Sequence, residues 1–220
     1  MLNGTAAEAW NEIWSTEEGR EGWLAPEPEV TDLATRLFEG GAYRQALDMG
    51  CGVGRHALEL ARIGYRTTAT DLASAGLEHL GRAAEVAGLQ IATREAASTE
   101  LPFDDASFDY VVAYNVIHHG DEDAVQRSLA EVQRVLRIGG VFQATLLSRR
   151  STAPSSGVEV SPNTYIWEDG EGDHRHPHYF CDGRTLNAFL RDYDWLYLED
   201  RPVDDLPEYR HWHFAAERRQ

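Results

Sequence analysis

Apolar and polar positions along this chain change period several times, and each change marks an element. The run "RQALDMG" reads as a short strand, and "GRHALELARIG" as a helix closed by Gly64. "YRTTATD" predicts a second strand, and "SAGLEHLGRAAEVAG" a helix capped by Ser74 and closed by Gly88. "LQIATRE" and "FDYVVAYNV" predict strands three and four, with the loop "LPFDDAS" before the latter. "DEDAVQRSLAEVQRVLRIGG" predicts a helix with acids in its first turn and two glycines just past its end, and "VFQATLLS" a fifth strand. Upstream, "APEPEVTDLATRLFEGG" predicts a helix with Pro26 or Pro28 near its start and Gly40-Gly41 at its end. Near the C-terminus, "DGRTLNAFLRDY" predicts a helix, followed by an antiparallel edge pair from "WLYLED" and "YRHWHFAAE".

Strands alternating with helices of ten or more residues imply right-handed crossovers and a largely parallel α/β sheet. The stretch from Arg149 to Cys181 is poor in aliphatics and too long for a plain connection, so it reads as an insert or lid. The expected organisation is a helical cap over residues 1–40, a ligand-binding core over 41–148, the insert over 149–181, and a C-terminal helix and edge hairpin over 182–220 that complete the same domain.

Composition narrows the classes. The 220 residues suffice for one domain with a full core. No apolar run of membrane-spanning length and no basic-then-apolar leader is readable, and the two cysteines, Cys51 and Cys181, match no zinc or redox spacing. A cytoplasmic protein, monomer or homodimer, with no membrane partner is the expectation. The net charge of −17 opposes phosphate backbones, so nucleic acid is not the expected partner, and the absence of lysine excludes Schiff-base chemistry.

The segment "LDMGCGVGRHALELA" places Gly50, Gly52 and Gly54 between the first strand and its helix. A missing Cβ lets a ligand approach the backbone, and the helix start offers free N–H groups. The spacing is G-x-G-x-G, with Arg55 where a dinucleotide fingerprint needs glycine, and no G-K-[ST] follows as in a P-loop. Nicotinamide and ATP are thereby disfavoured.

This segment resembles the first motif of class I S-adenosylmethionine-dependent methyltransferases, specifically the small-molecule, type 11-like group. "TATDLA" is similar to the second motif, "TREAASTELPFDDASFDYVVAYNVIHH" to the third and fourth, and "RVLRIGGVFQATLLS" to the turn into strand five; the likeness covers residues 45–148. It implies a Rossmann-like seven-stranded, mostly parallel sheet in the order 3-2-1-4-5-7-6, the last strand antiparallel, with helices on both faces. It also implies S-adenosyl-L-methionine as cofactor and in-line methyl transfer to a small-molecule acceptor. In the family the acid ending strand two binds the ribose hydroxyls, here Asp71 with Leu72 next to it, and the acid after strand three faces the adenine amine, here Glu95 beside Ala96. Carboxylates suit hydroxyl and amine donors, whereas a phosphate-bearing cofactor would call for cations.

Asp48, Gly50, Cys51, Gly52, Gly54 and Asn115 complete the expected cofactor set, together with Trp14 from an N-terminal W-x-x-x-W that resembles thiopurine- and tellurite-type enzymes. Trp10 and Trp14, four apart, share a helix face, and an aromatic cage attracts a cation. Asp48 orients the loop or meets the cofactor's ammonium. The family's reaction centre lies at "AYNVIHH", which makes Tyr114, His118 and His178 the expected catalytic residues, with His118 rather than His119 facing the pocket. The alternative for the histidine pair is hydrogen bonding at a helix start. His174, His176 and His178 alternate in "GDHRHPHYF", and in an extended segment they share a face. Substrate contact is the first reading for them and a metal site a lesser one; no metal is counted in the expected site. His211 and His213 are read as structural. A non-catalytic protein that binds and senses S-adenosylmethionine is the rival reading.

Overall fold

The computed structural model describes residues 3–167, 176–203 and 206–220. Helices α1 (Asn3–Ser15) and α2 (Glu17–Glu21) precede α3 (Pro28–Glu39), in which Pro28 takes the first helical position. The core then alternates: β1 (Gln45–Met49), α4 (Arg55–Ile63), β2 (Arg66–Asp71), α5 (Ser74–Ala87), β3 (Ile91–Glu95), β4 (Phe108–Ala113), α6 (Glu122–Val135) and β5 (Leu136–Leu147). The insert carries β6 (Val158–Ser161), β7 (Thr164–Ile166) and β8 (His178–Tyr179). Helix α7 (Gly183–Phe189) and the hairpin β9 (Tyr193–Val203) and β10 (Leu206–Arg218) complete the chain.

Seven strands form one sheet in the order β3-β2-β1-β4-β5-β10-β9. Strands β1 to β5 are parallel, and β10 runs antiparallel to both β5 and β9. The order expected as 3-2-1-4-5-7-6 differs in its labels, because three small strands intervene and the edge hairpin is β9–β10. Strand periodicity explains the two cores. Leu47, Met49, Val111, Ala113 and Phe142 face α6 and α7 on one side, while Ala46, Tyr110, Val112 and Val141 pack with α3 and Leu60 of α4 on the other.

Three local expectations are corrected. Ser74 is not the cap of α5; Ala73 holds that position without a side-chain bond, and Asn11 of α1 accepts from the Ala75 N–H (2.9 Å) instead. A neighbouring helix thus satisfies a free donor that the local sequence leaves open. Gly139 and Gly140 do not end α6, since Leu136 already begins β5 and the glycines fall in a register shift against β4. Strand β4 stops at Ala113, because Asn115 turns to φ 60°. The insert, expected to be more than a plain connection, folds β6, β7 and β8 into a second, antiparallel sheet.

Gly54 occupies the cap position just before α4 at φ 85°, and a Cβ there would lie 2.4 Å from Leu80 Cδ1 on α5. Both the strained backbone and the overlap oppose any larger residue. Gly54→Ala is therefore expected to lower unfolding free energy by about 2 kcal/mol or more, read by urea denaturation.

Candidate active site

The parallel strands point their carboxyl ends at one crevice, where the sheet order reverses between β1 and β4. A cleft with about 1020 Å³ of open space lies there. Its floor is Gly50-Cys51-Gly52-Val53 after β1; its sides are Asp71-Leu72 after β2, Ala96 to Thr99 after β3, and Tyr114-Asn115-Val116 after β4. Trp10 and Trp14 of α1, with Trp23, form the roof. Arg55, His56 and His119 complete the wall.

The floor is held from below by carboxylates. Asp71 accepts from the Gly52 N–H (2.7 Å) and the Ala73 N–H (2.8 Å), one bond to each oxygen. Burial raises its pKa, against these backbone bonds. Each oxygen keeps acceptor capacity beyond that single bond, as a ribose diol would require. Asp48 accepts from the Ala57 N–H (2.9 Å) in the first turn of α4. Burial pushes its carboxyl up to about 7, against the pull of that N–H and of Arg55. It lies 1% exposed and outside the cleft lining, where it holds the first turn of α4 through the Ala57 N–H. Gly54 also packs away from the cleft, against Leu80. Burial, with Asp48 and Asp71 nearby, raises the Cys51 thiol well above its ordinary value, so Cys51 is a neutral wall residue.

The roof is an aromatic stack. Trp10 and Trp14 lie parallel at 4.8 Å, and Trp23 meets them edge-on at 5.5 and 5.6 Å. A Cβ on Gly52 would approach Trp14 Cζ2 to 3.0 Å, so the bare backbone is what lets the indole close over the loop. The Arg55 guanidinium lies 5.3 Å from the Trp23 ring and 5.7 Å from that of Tyr114.

Several expected site residues stand elsewhere. Glu95 is exposed and does not line the cleft, because β3 ends at the sheet edge with that side chain outward; Ala96 and the unforeseen Ser98 and Thr99 form that wall. His118 does not face the cleft. It is buried at 4% exposure behind the wall, and His119 takes the cleft position instead. His178 is likewise buried and off the cleft, its Nδ1 2.9 Å from the His176 carbonyl. His174 lies outside the described residues, while His176 and His178 do share a face, with ring centroids 4.6 Å apart.

Tyr114 lines the cleft, but its hydroxyl points into a half-buried ionic group. It donates to Glu29 Oε1 (3.1 Å), which also accepts from His213 Nδ1 (2.8 Å), while Arg201 pairs with Oε2. Burial works against ionisation of Glu29, yet His213 and Arg201 outweigh it and hold the carboxyl at about 2. Burial and the Glu29 charge raise the Tyr114 phenol, which stays protonated. His56, with burial lowering its pKa to about 3, is a neutral wall residue that accepts from the Glu27 N–H (3.3 Å). Glu29 and His56 were not legible beforehand, since a lone acid or histidine on an amphipathic helix carries no spacing signal.

An α/β sheet whose glycine bend borders an acid-lined cleft defines a Rossmann-like ligand-binding fold. Comparisons specify it. Residues 47–144 match the family profile described as Methyltransferase domain. A ubiquinone biosynthesis O-methyltransferase of Methylocella silvestris is 44% identical over 53% of this chain and 43% of its own length. The chain spans about half the length of the curated relatives it matches. In shape it is similar to an S-adenosylmethionine-dependent methyltransferase of Methanosarcina mazei, with TM-score 0.71 and 20% identity over 89% of this chain and 99% of that one. It is also similar to the 1,6-didemethyltoxoflavin-N1-methyltransferase of Burkholderia thailandensis, solved with its acceptor and S-adenosylhomocysteine, with TM-score 0.68 and 19% identity over 99% and 90% of the two chains. Over residues 47–144 the chain is similar to that Methyltransferase domain family, and the comparisons support a class I S-adenosylmethionine-dependent methyltransferase. The cofactor of that class is S-adenosylmethionine. The cradle fits it by two observations: the backbone at Gly52 is bare, and the Asp71 carboxylate lines the same cleft.

The Glu29 group gives a pH signature. A depressed carboxyl stabilises the fold fully above its unfolded pKa, near 4.5, and that stabilisation is lost as pH falls toward about 2. Glu29→Gln should therefore cost about 1–3 kcal/mol at pH 7. The gap between variant and wild type should shrink between pH 4.5 and pH 2 in chemical denaturation.

Proposed function

We propose that this protein transfers the methyl group of S-adenosylmethionine to a small-molecule acceptor by in-line displacement. The observation that carries the reading is the cleft itself, in which the Gly50–Gly52 floor, Asp71 and the Trp10–Trp14 roof converge. When bound, the cofactor supplies a methyl carbon already activated by the sulfonium. The chain's own residues then bind, align and exclude water. Asp71 accepts from the ribose hydroxyls while keeping the loop folded through the Gly52 N–H. The small side chains of Ala96 and Ala97, beside Ser98 and Ser128, leave a slot for a flat base. Ser98 and Ser128 hydrogen bond to each other (2.9 Å), which keeps that slot polar on one side.

The acceptor reading rests on enclosure and charge. Trp10, Trp14 and Trp23 of the N-terminal segment cover the cleft, so an acceptor must fit beneath the tryptophans. The net charge of −17 disfavours nucleic acid. The indole faces favour a cationic centre beneath them. His119 and Arg55 are the polar wall groups on the acceptor side, and they replace Tyr114, His118 and His178 as the residues nearest the chemistry. The named relatives methylate oxygen in one case and nitrogen in the other, so the acceptor class is an oxygen or nitrogen nucleophile on a small ring compound.

Calorimetry with S-adenosylmethionine and S-adenosylhomocysteine tests the binding half. Asp71→Asn should weaken both by about tenfold or more, or ~1.4 kcal/mol, with an unchanged circular dichroism spectrum. Trp14→Ala should weaken them by a similar factor through loss of the roof. A screen of small hydroxylated and amino-bearing rings, following S-adenosylhomocysteine release, tests turnover. Tight binding with no release on any acceptor would instead favour a sensing protein.

A further inference from the structure

Behind the His119 wall lies a cluster of imidazoles that methyl transfer does not use. The turn after β4 is clamped to β8 by main-chain bonds: Tyr179 N–H to His118 O (2.9 Å) and Gly120 N–H to Pro177 O (2.8 Å). This clamp brings His118, His119 and His178 together, with one nitrogen of each within 4.8 Å of the others. We propose that these three side chains form a binding site for a divalent transition-metal ion, zinc in kind. The expected trio of His174, His176 and His178 shares only His178 with it.

The outer hydrogen bonds already set the tautomers. His178 Nδ1 donates to the His176 carbonyl (2.9 Å), which leaves Nε2 with its lone pair inward. His119 Nε2 donates to the Asn115 carbonyl (3.1 Å), which leaves Nδ1 as the donor atom. Ligating histidines are held by such carbonyl bonds on their far nitrogen. His119 Nδ1 accepts from His176 Nε2–H (2.8 Å), so an ion at Nδ1 would displace that hydrogen bond, and a fourth imidazole stands within reach of the same centre. A tetrahedral ion with metal–nitrogen bonds of about 2.0–2.1 Å spaces its ligands roughly 3.3 Å apart, so closure needs side-chain shifts of about 1 Å. Imidazoles without a carboxylate select zinc, cobalt, nickel or copper over magnesium and calcium. The net charge of −17 raises the local concentration of any cation.

His119 belongs to both the cluster and the cleft, so the ion would sit one side chain from the acceptor space. Its role there, polarising an acceptor oxygen or nitrogen, rests on the methyl-transfer reading; the site itself does not.

Tag-free protein, stripped with chelator, is titrated with Co(II) by visible absorption and with Zn(II) by calorimetry. One equivalent should bind, with the d–d bands of a low-coordinate imidazole site, and Zn(II) should displace Co(II). His119→Ala and His178→Asn should each weaken Co(II) at least tenfold, while His79→Ala on α5 should not. Should a variant misfold, nitrogen-15 spectra of the wild type must show Zn(II) shifting His119 Nδ1 and His178 Nε2. Substoichiometric uptake, unchanged affinity in both folded variants, or unmoved imidazole resonances would overturn the site. S-adenosylhomocysteine calorimetry runs in parallel: binding without metal uptake sinks the metal site alone, and metal uptake without such binding sinks the methyl-transfer reading alone.

Discussion

The architecture depends on one crowded peptide bend. Between β1 and α4 the backbone takes left-handed φ at Gly50, Gly52 and Gly54, and three separate elements press on it. Val116 from the β4 turn, Trp14 from α1 and Leu80 from α5 each occupy the space a Cβ would need. Asp71 then fixes the bend by accepting from the Gly52 N–H, and Asp48 does the same for the first turn of α4. Loop, roof and neighbouring strand end are thus one packed unit, and the cleft is what that unit leaves uncovered.

Burial assigns different tasks to chemically similar groups around the cleft. Asp48 and Asp71 are both raised by desolvation, yet only Asp71 reaches the ligand side. Glu29 goes the other way, because His213 and Arg201 provide opposite charge and hydrogen bonds at short range. That anchored anion holds the Tyr114 hydroxyl, while the residue still lines the cleft. The same group joins α3 to the edge hairpin, through Glu29 on one and Arg201 and His213 on the other. Cofactor wall and sheet edge therefore share an electrostatic support.

The N-terminal helix is tied down by specific contacts as well as by its indoles. Asn11 accepts from the Ala75 N–H at the start of α5, and Arg20 donates to the Trp14 carbonyl (2.6 Å). Gly76 lets this helix sit close, since a Cβ there would approach Gly52 O to 2.6 Å and Trp14 Cδ1 to 3.1 Å. Roof and floor are consequently packed against each other. Among the described residues, no helix is long and apolar enough to cross a membrane.

Periodicity alone determined the alternation of strands and helices, the glycine spacing disfavoured nicotinamide and ATP, and the resemblance of four motifs to a known family implied the cofactor. Those are local properties: a side-chain period or a bare turn is encoded within a few residues. Direction into the cleft was not encoded locally. His118 and His119 are adjacent and identical in type, and only the clamp from β8 decides that one faces the cleft and the other the interior. Glu95 was legible as an acid after β3 but not as an exposed one, because which strand end borders the cleft is set by how the strands assemble. Likewise Ser74 has the right chemistry for a cap, yet Asn11, distant in sequence, supplies the acceptor. The sequence carried element type and cofactor class; which atom meets which was decided by contacts between segments far apart in the chain.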